Sequence, residues 1–122
     1  MAKILVVDDS GYARRILRQA LEPLGHEVVE AGSGMAGLEA FAVQAPDLVL
    51  LDLTMEDLGG LEVLTRLREL DPAARVIVVS ADIQRSTSND VARAGAFRFL
   101  AKPADPADLV AAVDAALARE AP

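Results

Sequence analysis

The sequence predicts an α/β fold: a five-stranded, parallel, doubly wound sheet of the (βα)5 type in a single domain. Five short apolar runs alternate along the chain with five segments of helical periodicity. The first, third and fourth runs are almost entirely aliphatic, as is typical of strands buried on both faces. Right-handed crossovers between parallel strands leave few other arrangements. The 122 residues are the size of one domain, which we assign to residues 1–122.

The strands are predicted from the apolar runs. They are Ile4–Val7, Val28–Ala31, Leu48–Leu51, Val76–Val79 and Phe97–Leu100.

The helices are predicted from residues that recur every three to four positions. They are Tyr12–Leu24, Gly34–Gln44, Gly60–Leu70, Gln84–Ala94, and a last helix from Asp105 or Pro106 to about Glu120. Ser33 is expected to cap the second helix, and Asp105 with Pro106 is a good start signal for the fifth. The side chains expected to face inward are Ile16, Leu17, Leu21 and Leu24; Leu38, Phe41 and Ala42; Leu61, Leu64 and Leu67; and Leu109, Val110, Val113 and Leu117. The fourth helix is rich in Ser, Thr, Asn and Arg, so we expect it to be weak and little buried.

Composition excludes several classes of function. Cys is absent, so neither disulfides nor thiolate metal sites are available. The net charge of −7 argues against direct binding of nucleic acid, which requires a basic face. The apolar run near the N-terminus is too short for a signal peptide or a membrane span. We therefore expect a cytoplasmic protein with no membrane association.

Polar residues follow four of the predicted strands. Asp8 and Asp9 come after the first, Asp52 after the third, Ser80 after the fourth and Lys102 after the fifth. Ligands of open α/β sheets bind at the carboxyl ends of the strands, so these groups are expected to share one pocket. Clustered carboxylates favour a hard divalent cation, either Mg²⁺ or Mn²⁺. Together with an ammonium and a hydroxyl, they suit transfer of a phosphoryl group to an aspartate.

The sequence resembles the receiver domain of two-component response regulators along its whole length. The matching segments are Val6-Val7-Asp8-Asp9-Ser10, Asp47-Leu48-Val49-Leu50-Leu51-Asp52-Leu53, Gly60-Leu61-Glu62, Val78-Val79-Ser80-Ala81 and Leu100-Ala101-Lys102-Pro103. All of them occur in order and at the expected separations, which makes the resemblance specific. It implies the flavodoxin-like fold that these domains share.

The resemblance implies a role for each site residue. Asp52 would be the phosphoacceptor, and Asp9 and Asp52 would bind Mg²⁺ directly, with the backbone carbonyl of Thr54 as a third protein ligand. Asp8 would bind the metal through water or orient its ligand shell. Ser80 would donate to one phosphoryl oxygen.

Lys102 would pair with another phosphoryl oxygen, and a cis peptide bond before Pro103 would aim it. On phosphorylation Ser80 would move inward, and Phe99 would turn into the vacated space. The surface that changes would be formed by the fourth helix, the fifth strand and the fifth helix.

The resemblance also implies the partners. A histidine kinase or a phosphotransfer protein would supply the phosphoryl group, and a separate downstream protein would be the target. The chain would be a monomer or a phosphorylation-dependent dimer, acting alone or as an excised piece of a larger regulator. Its only chemistry would be slow self-dephosphorylation, so it is not expected to be an enzyme.

One segment departs from the family pattern. Glu56 stands where the family often has proline. We therefore expect the acidic stretch from Met55 to Gly60 to be mobile, and Glu56 to perturb the metal shell. Thr54 and Asp82 occupy positions that tune the lifetime of the phosphoryl group in the family.

Three other functions are considered. A flavodoxin-like nucleotide binder would require a phosphate-binding loop after the first strand. In this chain Asp8 and Asp9 occupy that position and would repel a phosphate. A magnesium-dependent phosphatase with an aspartate nucleophile would carry a second aspartate two residues on, where this chain has Thr54. A receiver that serves only as an interaction module would be expected to lack part of the acidic cluster, which is complete here.

Overall fold

The computed structural model describes residues 2–82 and 84–119, and it confirms the predicted parallel sheet. The strands are ordered β2-β1-β3-β4-β5, and every neighbouring pair is parallel. The strands are β1 (Lys3–Val7), β2 (Glu27–Ala31), β3 (Leu48–Leu51), β4 (Val76–Ser80) and β5 (Arg98–Ala101). The helices are α1 (Gly11–Leu21), α2 (Gly34–Gln44), α3 (Gly60–Leu70), α4 (Arg85–Arg93) and α5 (Pro106–Leu117), and a short 3₁₀ helix covers Glu22–Leu24.

The sheet is covered on both faces, because successive side chains of a strand point to opposite sides. In β1, Ile4 and Val6 belong to a core shared with α1 and α5. Leu5 and Val7 belong to a second core on the opposite face, shared with α2, α3 and α4. Burial on both faces explains why these strands appear in the sequence as continuous aliphatic runs.

Two predicted helix ends differ by more than one residue from those of the structure. The first helix turns into the 3₁₀ segment after Leu21, and Pro23 lies within that segment. The last helix ends at Leu117, while its predicted end at Glu120 lies outside the described residues. The predicted caps are confirmed: Ser33 Oγ accepts a hydrogen bond from the backbone N–H of Ala36. Asp105 likewise caps α5.

The predicted inward faces of α1 and α3 are partly wrong. Leu17 and Leu21 are buried, but Ile16 is 46% exposed and Leu24 is 50% exposed. Ile16 is one position away from Leu17, which is about 100° around a helix, and Leu24 lies beyond the end of α1. In α3, Leu61 is also exposed, and Val63 takes the inward position beside Leu64 and Leu67.

The predicted inward face of α2 is wrong only for Ala42, since Leu38 and Phe41 pack against the second core. The buried positions are Gly34 and Gly37, whereas Ala42 is exposed and Leu38 and Phe41 are only half-buried. A Cβ on Gly37 would lie 2.8 Å from Val7 Cγ1. The backbone of α2 therefore rests directly on β1, an approach that larger side chains on that face would prevent.

The remaining two helices follow the prediction more closely. In α5, Leu109 and Val113 are buried, while Val110 and Leu117 are half-buried. In α4 only Val91 is buried, as expected for a helix with little apolar face.

Candidate phosphorylation and metal site

Two buried carboxylates stand side by side at the carboxyl edge of the sheet. In the pairing of β1 with β3, Val7 faces Leu51, so the next residues of the two strands, Asp8 and Asp52, are neighbours. The backbone N–H of Asp52 donates to Val7 O at 2.9 Å, and that of Asp8 donates to Ala31 O at 3.1 Å. Asp8 is 2% exposed and Asp52 is 7% exposed. Strand pairing therefore fixes the backbone positions of Asp8 and Asp52.

A third carboxylate completes a group that fits a divalent cation. Asp8, Asp9 and Asp52 each offer an oxygen within 4.8 Å of the others. Asp9 is exposed, so the group opens to solvent on its side. Hard oxygen donors such as these carboxylates are the ligands that Mg²⁺ or Mn²⁺ prefers. The residues present fit the metal that the sequence led us to expect.

Lys102 brings a positive charge to the two buried carboxylates. Its Nζ lies 2.6 Å from Asp8 Oδ2 and 3.5 Å from Asp52 Oδ1. The backbone places it there, since the N–H of Lys102 donates to Ser80 O at 2.9 Å, next to the pairing of Ser80 with Ala101. The Lys102–Pro103 peptide bond is cis, as predicted.

The electrostatic balance at Asp52 is set by opposing effects. Burial raises the pKa of the Asp52 carboxyl above its ordinary value of 3.8; Lys102 lowers it, and the Asp8 carboxylate raises it again. The backbone N–H of Thr54 also acts on the carboxylate and lowers its pKa. The result is a raised pKa, so the protonated form of Asp52 persists to higher pH than that of an exposed aspartate.

Ser80 and Phe99 lie on the neighbouring strands. Ser80 is fully buried, and its Oγ accepts a hydrogen bond from the backbone N–H of Asp82 at 3.2 Å. Phe99 is half-buried; it pairs with Val78 in the sheet and packs against the core that contains Val91 of α4. The roles predicted for these two residues, and for the carbonyl of Thr54, remain predictions.

The sequence missed one residue that supports the site. Arg14 Nη1 donates to the backbone carbonyl of Asp8 at 2.7 Å, and its Nε donates to Glu30 Oε1 at 2.8 Å. In the sequence, Arg14 falls with Arg15 and Arg18 on the polar side of the first helix. Its periodicity is that of a surface residue, so only the position of α1 beside β2 reveals the contact.

The segment after Asp52 is attached to α2 by hydrogen bonds, although its acidic composition suggested a mobile loop. Asp57 accepts hydrogen bonds from the backbone N–H groups of Gly34 and Met35 at 2.9 and 3.0 Å. Glu56 is exposed and lies outside the group of three carboxylates. Its predicted effect on the metal shell stays a prediction.

Comparison with known proteins agrees with this geometry. The family model for the response regulator receiver domain matches residues 4–114. The chain is 33% identical to the chemotaxis protein CheY of Thermotoga maritima, covering 92% of this chain and 94% of that protein. It is 39% identical to the transcriptional regulator NtrC of Azospirillum brasilense over 99% of this chain, but it spans only 25% of that protein.

A solved structure shows the same fold. The CheX–CheY–BeF3–Mg²⁺ complex of Borrelia burgdorferi matches with a TM-score of 0.87 and 31% identity, covering 91% of this chain and 85% of that chain. Among the described residues of the present structure, no helix is long and apolar enough to cross a membrane.

Proposed function

Because this chain belongs to the response regulator receiver domain family, we propose that it accepts a phosphoryl group on Asp52 and thereby switches its binding to a protein partner. One observation carries the proposal: the ammonium of Lys102 lies against the buried carboxylates of Asp8 and Asp52. A lysine in this position can neutralise charge on a phosphoryl group that reaches Asp52.

The donor would be a phosphohistidine of a histidine kinase or a phosphotransfer protein. An ionised carboxylate oxygen of Asp52 forms the new bond to phosphorus as the phosphorus–nitrogen bond breaks. The electron pair of that bond stays on the imidazole nitrogen, which takes up a proton. Lys102 and the N–H of Thr54 favour the ionised carboxylate that this step requires, since both lower the pKa of Asp52.

A divalent metal ion fits beside the nucleophile. Asp9 and Asp52 would bind it directly, together with the backbone carbonyl of Thr54, and Asp8 would bind through water. When bound, Mg²⁺ or Mn²⁺ neutralises the negative charge that gathers around the transferred phosphoryl group. The magnesium named in the Borrelia complex supports Mg²⁺ as the natural ion.

A chain of hydrogen bonds supports the coupling of the site to α4. Asp82 donates its backbone N–H to Ser80 Oγ. The Asp82 carboxylate accepts from the N–H of Gln84 at 3.1 Å and from the hydroxyl of Thr87 at 2.9 Å, at the start of α4. Movement of Ser80 towards a phosphoryl oxygen would disturb this chain, and a rotation of Phe99 would follow.

The partner surface would then be the face formed by α4, β5 and α5. Because α4 buries only Val91, shifting it disrupts little packing. The CheX–CheY complex supports a protein as the partner of this kind of domain. The phosphorylated chain would bind a separate downstream protein in the cytoplasm, without direct contact to nucleic acid. It would do so as a monomer or as a phosphorylation-dependent dimer. It would be a switch and not an enzyme, losing its phosphoryl group by slow hydrolysis.

The test is phosphorylation by acetyl phosphate with Mg²⁺, followed by intact mass. We expect one added phosphoryl group on the wild type, none on Asp52→Asn, and none on the wild type after chelation. If the wild type binds Mg²⁺ and still gains no mass, the chain is an interaction module and the proposal is wrong.

A further inference from the structure

The loop between β3 and α3 is attached at its tip to the start of α2 by one side chain. Asp57 Oδ1 accepts from the N–H of Gly34 at 2.9 Å, and Oδ2 accepts from the N–H of Met35 at 3.0 Å. The first backbone N–H groups of a helix have no partner inside it, and a carboxylate at that end is further stabilised by the helix dipole. The contact joins residues 22 and 23 positions apart, so it is a tertiary link and not a local cap.

Close packing reinforces the same link. Gly34 is buried, and a Cβ built there would lie 2.8 Å from both the Cβ and the carbonyl oxygen of Leu58. The residue after Asp57 thus touches the residue that Asp57 binds. A glycine is needed at position 34 because any side chain there would collide with Leu58. This requirement does not depend on the backbone conformation of Gly34.

The base of the loop is held against the acidic site. The N–H of Gly60 donates to Leu53 O at 2.9 Å, and a Cβ on Gly60 would clash with the carbonyl oxygen of Asp52. Thr54 lies between this base and the tip, with its N–H acting on the Asp52 carboxylate. A loop closed at its base and tied at its tip leaves Thr54 little freedom.

The helix has its own cap without Asp57. Ser33 Oγ accepts from the N–H of Ala36 at 3.0 Å, which is the usual side-chain cap of a helix start. The two N–H groups bound by Asp57 lower its pKa, with Met35 as the larger cause and Gly34 next. The carboxylate is therefore ionised at neutral pH and able to accept both bonds.

We propose that Asp57 is a positioning residue of the phosphorylation site: by tying the loop to α2, it holds Thr54 in place beside Asp52 and the metal. The inference rests on the proposed function, because it concerns the same site. Asp57 is exposed and lies outside the group of three carboxylates, so it acts through Thr54 and not as a ligand.

The test is the Mg²⁺ affinity of the whole chain, measured by isothermal titration calorimetry without a phosphodonor. Asp57→Asn keeps the size of the side chain but has only one acceptor oxygen. We expect it to weaken Mg²⁺ binding roughly tenfold, the scale seen when groups that orient metal ligands are removed. Hydrogen exchange at the amides of Thr54 and Met35 should become faster in the same variant.

Two controls separate the alternatives. Ser33→Ala weakens the same helix end but leaves the loop contacts intact. Glu39→Gln removes an equal charge from the exposed surface of α2 without breaking the link. Both should bind Mg²⁺ distinctly more tightly than Asp57→Asn. Gly34→Ala keeps the Asp57 carboxylate but pushes Leu58 away, and it should weaken Mg²⁺ binding as Asp57→Asn does.

The inference is wrong if Asp57→Asn binds Mg²⁺ within twofold of the wild type. It is also wrong if Ser33→Ala or Glu39→Gln weakens binding as strongly, because helix stability or charge alone would then explain the effect. If Asp57→Asn fails to fold, the Gly34→Ala variant decides the question. The inference is then refuted if Gly34→Ala binds Mg²⁺ with the affinity of the wild type. A wild type that binds Mg²⁺ but accepts no phosphoryl group would overturn the proposed function, while the comparison of Mg²⁺ affinities would still decide the role of Asp57.

Discussion

Lys102 Nζ and Asp8 Oδ2 are 2.6 Å apart although the two residues are separated by 94 positions in the chain. The Asp8 side chain is 3% exposed and that of Lys102 is 26% exposed. The ammonium thus reaches a buried carboxylate from the solvent side, and it is also 3.5 Å from Asp52 Oδ1. One cation therefore compensates two carboxylates that would otherwise repel each other.

Removing this cation should destabilise the fold. We expect Lys102→Met to lower the free energy of unfolding by about 1–3 kcal/mol at pH 7 without divalent metal, since it leaves two buried carboxylates uncompensated. The loss should be smaller at pH 4, because burial raises the pKa of Asp52 and its carboxyl is partly protonated there. Urea denaturation at the two pH values measures both effects.

A matched control exists on α3. Arg66 and Glu62 form an ion pair at the same distance, 2.6 Å, but both side chains are about half exposed. Arg66→Gln should lower the free energy of unfolding by only about 0.2–0.5 kcal/mol. If Lys102→Met and Arg66→Gln lower the free energy of unfolding equally, the burial of Asp8 and Asp52 does not increase the cost of losing their cation.

Asp52, the proposed phosphoacceptor, should lower the stability of the fold in the absence of metal. Burial raises the pKa of Asp52 in the folded state, so the folded protein binds this proton more tightly than the unfolded chain does. Stability then falls as the pH rises from the unfolded pKa through the folded pKa. At pH 7 the full cost is present, and Asp52→Asn should raise the free energy of unfolding by roughly 1 kcal/mol.

Thermal unfolding at pH 7 and at pH 3 checks this expectation. The gain in Tm from Asp52→Asn should be largest at pH 7 and nearly absent at pH 3, where the carboxyl is protonated in both states. Mg²⁺ should raise the Tm of the wild type more than that of the variant. A gain that does not depend on pH would contradict the electrostatic explanation.

The exposed carboxylate should matter for the metal and not for the fold. Asp9 faces solvent, so Asp9→Asn should change the free energy of unfolding by less than about 0.5 kcal/mol. Because Asp9 is a proposed direct ligand, its loss should weaken Mg²⁺ binding at least tenfold by calorimetry. Glu39→Gln, an exposed charge on α2, is the control and should leave the affinity unchanged; a normal affinity in Asp9→Asn would remove Asp9 from the ligand set.

Helix α4 should be the first helix to open. Its single buried residue is Val91, whereas α3 buries Val63, Leu64 and Leu67 as well as Gly60. Amide hydrogen exchange should therefore be faster across α4 than across α3. Val91→Ala should speed exchange in α4 alone, and Val63→Ala should instead lower global stability by about 1–3 kcal/mol. Equal protection of the two helices would contradict the proposed ease of shifting α4.

The sequence by itself determined the elements and the location of the site. Strands buried on both faces consist of continuous aliphatic runs. For this reason β1, β3 and β4 could be predicted to within one residue of their observed ends. A parallel sheet brings the ends of its strands together. For that reason Asp8, Asp52 and Lys102 could be predicted to meet although they are far apart in the chain.

Only the tertiary structure decided how the helices and loops meet the sheet. Periodicity indicates that a helix has an apolar face, but not that α2 would use Gly34 and Gly37 to place its backbone on β1. Nor does the local sequence show that Asp57 binds the N-terminus of α2 or that Arg14 reaches the carbonyl of Asp8. The physical reason is that local pattern encodes the conformation of a segment, while such contacts depend on the rotation and spacing of segments that pack together from distant parts of the chain.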